Sequence, residues 1–174
     1  MPTTEKNQNR ITSFPPVFTP DSHTLILGSM PGEESLRLSE YYANPRNAFW
    51  RILAKLCGSE NDLSYGLRLK LLNDRQIALW DVLHSCKRAG SLDSAIEISS
   101  MDTNDFQNFL ANNLQIRRIF FNGAFAETAY RKYVRPVLAP REAAIPALRL
   151  PSTSPANASI GFEAKLHAWR VILD

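Results

Sequence analysis

The sequence predicts a three-layer α/β fold, with helices on both faces of a central parallel sheet of about four strands. Three observations carry this prediction. Four short apolar runs, at residues 24–27, 77–83, 116–121 and 147–150, have the length and composition of buried strands. Segments with apolar residues at helical spacing stand between them. Loops rich in glycine, proline and asparagine follow the runs. Strands separated by helices pair in parallel, because a parallel neighbour is reached only through a long crossover. In such sheets ligands bind beyond the carboxyl ends of the strands, where this chain places its least ordinary loops.

The elements follow in order. Residues 1–20 are polar and proline-rich, ending in Phe14-Pro15-Pro16-Val17-Phe18-Thr19-Pro20, and read as an irregular arm that pins a few apolar side chains to the domain. Thr24-Leu25-Ile26-Leu27 is the first strand, ending at Gly28. Phe49, Trp50, Leu53, Leu56 and Cys57 mark a helix that Gly58 stops. A second helix covers residues 65–74, and Ile77-Ala78-Leu79-Trp80-Asp81-Val82-Leu83 is the second strand. Residues 90–96 read as a loop, and residues 102–114 as a helix with Phe106, Phe109 and Leu110 on one face. The third strand, 116–121, closes at Asn122-Gly123; Phe125, Ala129 and Tyr133 mark the next helix. The fourth strand, 147–150, runs into Pro151-Ser152-Thr153-Ser154-Pro155-Ala156-Asn157. Phe162, Leu166, Trp169 and Leu173 form the last helix. No repeat, low-complexity tract or linker interrupts this order, so residues 1–174 read as one domain.

Composition narrows the class. Hydrophobic residues at 44% and charged residues at 21% sit at the globular average, which excludes a disordered or fibrous chain. No apolar run approaches the ~20 residues of a membrane-spanning helix, and the N-terminus lacks the pattern of a secretory signal. Two cysteines, Cys57 and Cys86, are too few for a disulfide framework or an iron–sulfur cluster. A reduced, cytoplasmic protein is expected. The net charge of +3 is compatible with a nucleic-acid partner without arguing for one. His23, His84 and His167 lack metal-ligand spacing, and neither a phosphate-binding Gly-Lys-Ser/Thr loop nor a Gly-x-Ser-x-Gly elbow nor a Cys-x-x-Cys pair occurs. Neither metal nor cofactor is expected, nor an obligate protein partner.

Three loops carry candidate chemistry, each with a plain structural alternative. Gly28-Ser29-Met30-Pro31-Gly32 lets a ligand approach the backbone closely, or is an ordinary strand-to-helix turn. Tyr41-Tyr42-Ala43-Asn44-Pro45-Arg46-Asn47-Ala48-Phe49-Trp50 offers stacking faces and amides for a base, or caps the following helix through Asn47. Pro151-Ser152-Thr153-Ser154-Pro155-Ala156-Asn157 offers hydroxyls and N–H groups to phosphates, or is a rigid helix entry.

Taken together these loops resemble the uracil-DNA glycosylase superfamily. Gly28-Ser29-Met30-Pro31-Gly32 is similar to its first motif, and Leu150-Pro151-Ser152-Thr153-Ser154-Pro155 to its second. Pro45-Arg46-Asn47-Ala48-Phe49-Trp50 is similar to the segment after the first motif in mismatch-specific members. With Tyr41-Tyr42, Leu79-Trp80-Asp81-Val82, Gly90-Ser91-Leu92-Asp93 and the Ser154-Pro155-Ala156-Asn157 ending, the set most resembles the hypoxanthine- (deoxyinosine-) DNA glycosylase branch, over roughly residues 14–172. The resemblance implies a DNA repair hydrolase that flips a deaminated base, hypoxanthine first and uracil second, and cleaves its N-glycosidic bond with water.

Departures from other branches redistribute the roles. Where those branches carry a water-activating asparagine, aspartate or glutamate in the first motif, this chain has Met30 or Ser29; where a histidine opens the second, it has Leu150. The resemblance then implies a catalytic asparagine outside the first motif, Asn47 before Asn44. Gly28, Ser29, Met30, Pro31 and Gly32 would floor the pocket, and Tyr42 or Phe49 would stack on the base. Ser152, Thr153 and Ser154 would grip phosphates, with Arg46 and Arg149 assisting and Asn157 entering the minor groove or fixing its loop. The alternatives are a module that binds a nucleotide or damaged base without cutting, for which Met30 speaks, and a hydrolase of free nucleosides.

Overall fold

The computed structural model describes residues 10–60 and 62–174. In chain order these are β1 (Arg10–Thr12), β2 (Thr24–Gly28), α1 (Glu33–Leu38), α2 (Phe49–Cys57), α3 (Tyr65–Asp74), β3 (Ile77–Asp81), β4 (Leu83–Lys87), β5 (Asp102–Thr103), α4 (Phe106–Asn112), β6 (Arg118–Asn122), α5 (Ala124–Ala129), α6 (Pro140–Ala143), β7 (Ala147–Leu150) and α7 (Phe162–Trp169), with short 3₁₀ turns between or after them and a π-helical turn, Tyr130–Val134, continuing α5. The central sheet has four parallel strands in the order β3-β2-β6-β7. Its register sets Gly28 opposite Asp81 and Asn122 opposite Leu150, so all four strands end level.

The pleat sorts the core into two layers. Leu25, Leu27, Ala78, Trp80, Ile119 and Phe121 face one side, packed by α4 and α5. Ile26, Ile77, Leu79, Phe120 and Leu150 face the other, under α2, α3 and α7. β2 and β3 are buried on both faces, which is why they read as continuous apolar runs, while the edge strand β7 exposes Leu148 and Arg149. Gly58 ends α2 in the left-handed conformation, at φ 65°.

Three expectations need correction. The second strand ends at Asp81, not Leu83; the chain turns at Val82 into β4, which pairs antiparallel with β1 and β5 in a separate three-stranded sheet. Leu-His-Ser-Cys-Lys buries only alternate positions and one neighbour, so it carries no apolar run to announce it. Part of the arm is therefore regular: Arg10–Thr12 is a strand, and Val17 bridges to Leu79. Residues 1–9 of that arm lie outside the described residues. The helix expected over 102–114 begins at Phe106, capped by Asp105, whose carboxylate accepts the Asn108 N–H at 3.0 Å. Among the described residues no helix is long and apolar enough to cross a membrane.

Candidate active site

The carboxyl ends of β2, β3, β6 and β7 open into a cleft of about 1120 Å³. The first-motif loop, Asn44 to Asn47, the turn at 91–94 and the second-motif loop all line it. The chain runs from β2 to β3 on one side and then crosses to β6 on the other. Strand order therefore reverses at β2, the place where α/β sheets hold ligands.

At the floor, Gly28 ends β2 directly beside Asp81, the last residue of β3. A Cβ on Gly28 would lie no more than 3.0 Å from both the Asp81 carboxylate and the Tyr42 hydroxyl, so only glycine fits. Asp81 is 4% exposed, its Oδ2 makes no hydrogen bond among the described residues, and yet it lines the cleft. Burial pushes its pKa up to about 7, Asp93 adds to the shift, and Arg88 works against it. The Tyr42 hydroxyl is likewise buried without a partner. Asn122 approaches it, but the Asn122 amide is taken by Thr153. Burial, then the neighbouring Asp81, raises the Tyr42 phenol well above its ordinary range.

Tyr42 is held in the left-handed conformation, φ 53°, where a tyrosine is strained. Its ring stacks on Phe49 at 4.1 Å between centroids. This corrects one expectation: Phe49 is 1% exposed and lies behind Tyr42, edge-on to Trp50 and Trp169, so its faces are not offered to a base. Tyr41 is also structural, donating its hydroxyl to the Pro15 carbonyl at 2.9 Å. Met30 is 7% exposed and packs into the core beside Leu27 while touching the cleft.

Both candidate asparagines fold their own loop. Asn44 Oδ1 accepts the Arg46 N–H and Asn47 Oδ1 accepts the Phe49 N–H, each at 3.0 Å. The cap of α2 is Ala48, so Asn47 supports the helix entry from one residue earlier. Asn47 lines the cleft, and with its amide oxygen on Phe49 its Nδ2 is the group left to donate. Arg46 is exposed at the rim.

Across the cleft the second-motif loop is wired internally. Thr153 is 1% exposed; its N–H donates to Asn122 Oδ1 at 2.9 Å and its hydroxyl accepts from Asn122 Nδ2 at 2.8 Å. Its expected phosphate contact is thus corrected, because the group is buried and already paired. Ser152 Oγ accepts the Ser154 N–H and Ser154 Oγ the Ala156 N–H, while Asn157 Nδ2 donates to the Ser152 carbonyl. These three remain partly exposed on the cleft. Asn157 is held in turn by Lys165, whose Nζ donates to its carbonyl at 2.8 Å. Arg149 lines the same wall, with Glu127 3.5 Å away. The loop joins the opposite wall where the Ala48 N–H donates to the Thr153 carbonyl.

The remaining wall is the turn after β4. Ser29 Oγ donates to Asp93 Oδ1 at 2.7 Å, and the Glu33 N–H donates to Ser91 Oγ. Buried Arg88 ties the Pro31 and Gly90 carbonyls together. Asp81, Asp93 and Asn122 had no role assigned from sequence. The available signal was a carboxylate closing an otherwise apolar buried strand, opposite a glycine. Among the described residues no three His, Cys, Asp or Glu side chains stand together as a metal site.

The fold and cleft define an α/β protein that takes its ligand at the ends of parallel strands, between a glycine-rich and a serine-rich loop. The profile of the Uracil DNA glycosylase superfamily matches residues 15–173, and the chain belongs to that superfamily. It is 40% identical over 111 residues to the Hypoxanthine DNA glycosylase of Methanosarcina acetivorans, covering 63% of this chain and 69% of that one. Over the same coverage it is 38% identical to the Hypoxanthine DNA glycosylase of Methanosarcina barkeri. The solution NMR structure of a candidate uracil DNA glycosylase from Methanosarcina acetivorans superposes with TM-score 0.76 and 32% identity, over 95% of this chain and all of the other.

Proposed function

We propose that this DNA glycosylase excises deaminated bases, hypoxanthine first and uracil second, by flipping the base into the cleft and adding water to its sugar carbon. The observation that carries the reading is the cleft floor: a buried carboxyl oxygen, Asp81 Oδ2, and a buried phenol, Tyr42, both without a partner among the described residues, beside a glycine that leaves them room. Such atoms cost roughly 1–3 kcal/mol each when left empty, which suits a polar ligand with donors and acceptors on its edge. The 40% identity to a Hypoxanthine DNA glycosylase sets the order of bases.

Bond cleavage passes through a sugar with cationic character and a base leaving as an anion. Tyr42 is placed to stack on the base, and Asn47 Nδ2 to donate to the base or to a water. Ser152, Ser154 and Arg46 are placed for phosphates, whose charge favours the cationic sugar. The reading puts the protein in the cytoplasm, with the DNA it repairs.

The test is incubation of the protein with matched oligonucleotides carrying hypoxanthine, uracil or xanthine, followed by alkaline cleavage at abasic sites. Expected is strand cleavage with hypoxanthine and release of the free base. Binding without release would make the protein a damaged-base binder, and release from free inosine would make it a nucleoside hydrolase. With ~3 to 5 phosphate contacts, log affinity should fall with log salt at a slope of about −3 to −5.

A further inference from the structure

We propose that the hollow between the π-helical turn after α5 and the start of β7 is a second ligand site, which binds a small oxyanion, a phosphate or a carboxylate, through Tyr130 and Arg135. The inference does not rest on the excision reading. The cleft opens at the carboxyl ends of the strands, whereas this hollow lies beside Ala147, where β7 begins, and the two share no lining residue.

Local sequence builds the hollow. Pro136 has no N–H to give and ends the helix. Just before it, the π-helical turn closes with the Arg135 N–H on the Tyr130 carbonyl. That i→i+5 bond brings Arg135 round onto the face of Tyr130; in an α-helix Tyr133 and Val134 would share that face instead. Tyr130 and Arg135 both line the hollow, which encloses about 230 Å³, with Phe121 and the stretch from Ala143 to Ala147 as its remaining wall. The Tyr130 side chain is 3% exposed, its ring edge-on to Phe106 and tilted against Phe121 at 5.2 Å between centroids. Among the described residues its hydroxyl makes no hydrogen bond. A buried O–H without an acceptor carries a cost that a ligand oxygen relieves.

Arg135 supplies the charge. Its Nε donates to the Ala143 carbonyl at 3.3 Å, which fixes the guanidinium against the opposite wall. Among the described residues its two Nη atoms make no hydrogen bond and no carboxylate pairs with it. Arg131, also on the lining, is already held by Glu127 at 3.0 Å and adds only a partly neutralised charge. No acid lines the hollow: Glu142, next to Ala143, is paired with Arg141 at 2.9 Å. Burial pushes the Tyr130 phenol up to about 12 and the Arg135 charge opposes the rise, so the hydroxyl keeps its proton at neutral pH and lies within the field of the guanidinium. The free polar groups are therefore all donors, one O–H and the open side of a guanidinium fork, and that set matches the oxygens of an anion. The apolar side chains around them strengthen both bonds by keeping water away.

The test is a titration of the full chain with sodium phosphate and, separately, sodium acetate, against sodium chloride at matched ionic strength, followed by backbone amide shifts in NMR spectra. Expected is a saturable response at residues 130–135 and 143–147, with a dissociation constant on the order of 1 mM. A response to phosphate alone assigns the site to phosphate groups and a response to acetate alone to carboxylates; either one supports it. Arg135→Gln, at an exposed position, should weaken binding by about tenfold or more. Tyr130→Phe keeps the ring and should weaken binding about three- to tenfold. Its melting temperature should not fall, because the free protein loses no hydrogen bond. Shifts no larger than those from chloride, shifts confined to the cleft loops at 28–32 and 152–157, an unaltered titration in Arg135→Gln, or a destabilised Tyr130→Phe protein that binds like wild type would each overturn the proposal.

Discussion

Beneath Gly28 two buried polar atoms, Asp81 Oδ2 and the Tyr42 hydroxyl, have no partner among the described residues, and Tyr42 holds a strained backbone. Across the same cleft Thr153 satisfies both of its polar groups on Asn122, and Ser152, Ser154 and Asn157 each close a short-range turn. Both walls are polar loops leaving parallel strands, yet one stores unmet hydrogen bonds and the other spends nearly all of its own. Unmet groups and strain persist in a folded protein where the surroundings over-determine them, and they gather at functional sites. The floor is therefore the wall built for chemistry, and the second-motif loop is a preformed frame that sets distance and shape.

That contrast is sharpest at Asn47, which sits on the floor side but also caps its own loop. Asn47→Ala removes both the cleft-lining amide and the turn bond to Phe49. Excision should drop roughly 10²–10³, and stability by about 1 kcal/mol. Asn47→Asp keeps the turn acceptor but loses the N–H donor, so its melting temperature should stay near wild type while single-turnover excision still falls. A fully active Asn47→Asp protein would move the catalytic assignment to Asn44 or Asn157.

Gly28→Ala tests the floor without touching a polar group. The added methyl meets the Asp81 carboxylate and Tyr42 hydroxyl, and displacing them by about 1 Å should cost on the order of 10² in excision rate, with 1–3 kcal/mol of stability from overpacking. Equal activity at reduced stability would show that the floor groups take no part. On the other wall, Thr153→Val deletes a buried hydroxyl and strands Asn122 Nδ2. Denaturant melts should show a loss of roughly 1–3 kcal/mol, with excision per folded molecule changed by less than about tenfold. Ser154→Ala should do least: a partly exposed turn bond is lost, worth about 0.5–1 kcal/mol, and lesion-DNA affinity weakens only several-fold. A larger effect at Ser154 than at Gly28 would reverse the roles given to the two walls.

The pH dependence of stability gives a further view of Asp81. Its pKa is raised in the fold relative to an exposed aspartate, so the folded state binds the extra proton. Stability from this group is complete below the unfolded value near 4 and is lost as pH rises through about 7. Asp81→Asn should therefore gain melting temperature on wild type at pH 8 and little at pH 4.

Much of the architecture was legible from the chain alone. Thr24–Gly28 and the helix Phe49–Cys57 stand where apolar pattern and end signals put them, because a strand buried on both faces and an amphipathic helix write their environment into local sequence; Tyr65–Asp74 and Ala147–Leu150 also stand where expected. The motifs also named the cleft's rims: Gly28 to Gly32, Tyr42, Asn44, Asn47 and Ser152 to Asn157 converge as their positions after strands implied. Local sequence did not reveal β1, β4 and β5, which carry no apolar run and of which β1 and β4 pair residues more than seventy positions apart. Nor did it separate Phe49 from Tyr42 as the exposed ring, or mark Thr153 as buried. Asp81 reads as an ordinary polar residue at a strand end. Only the register that sets it beside Gly28, under Tyr42 and near Asp93, makes it a dry and unpaired acid, because burial and unmet hydrogen bonds belong to the packed chain rather than to any segment of it.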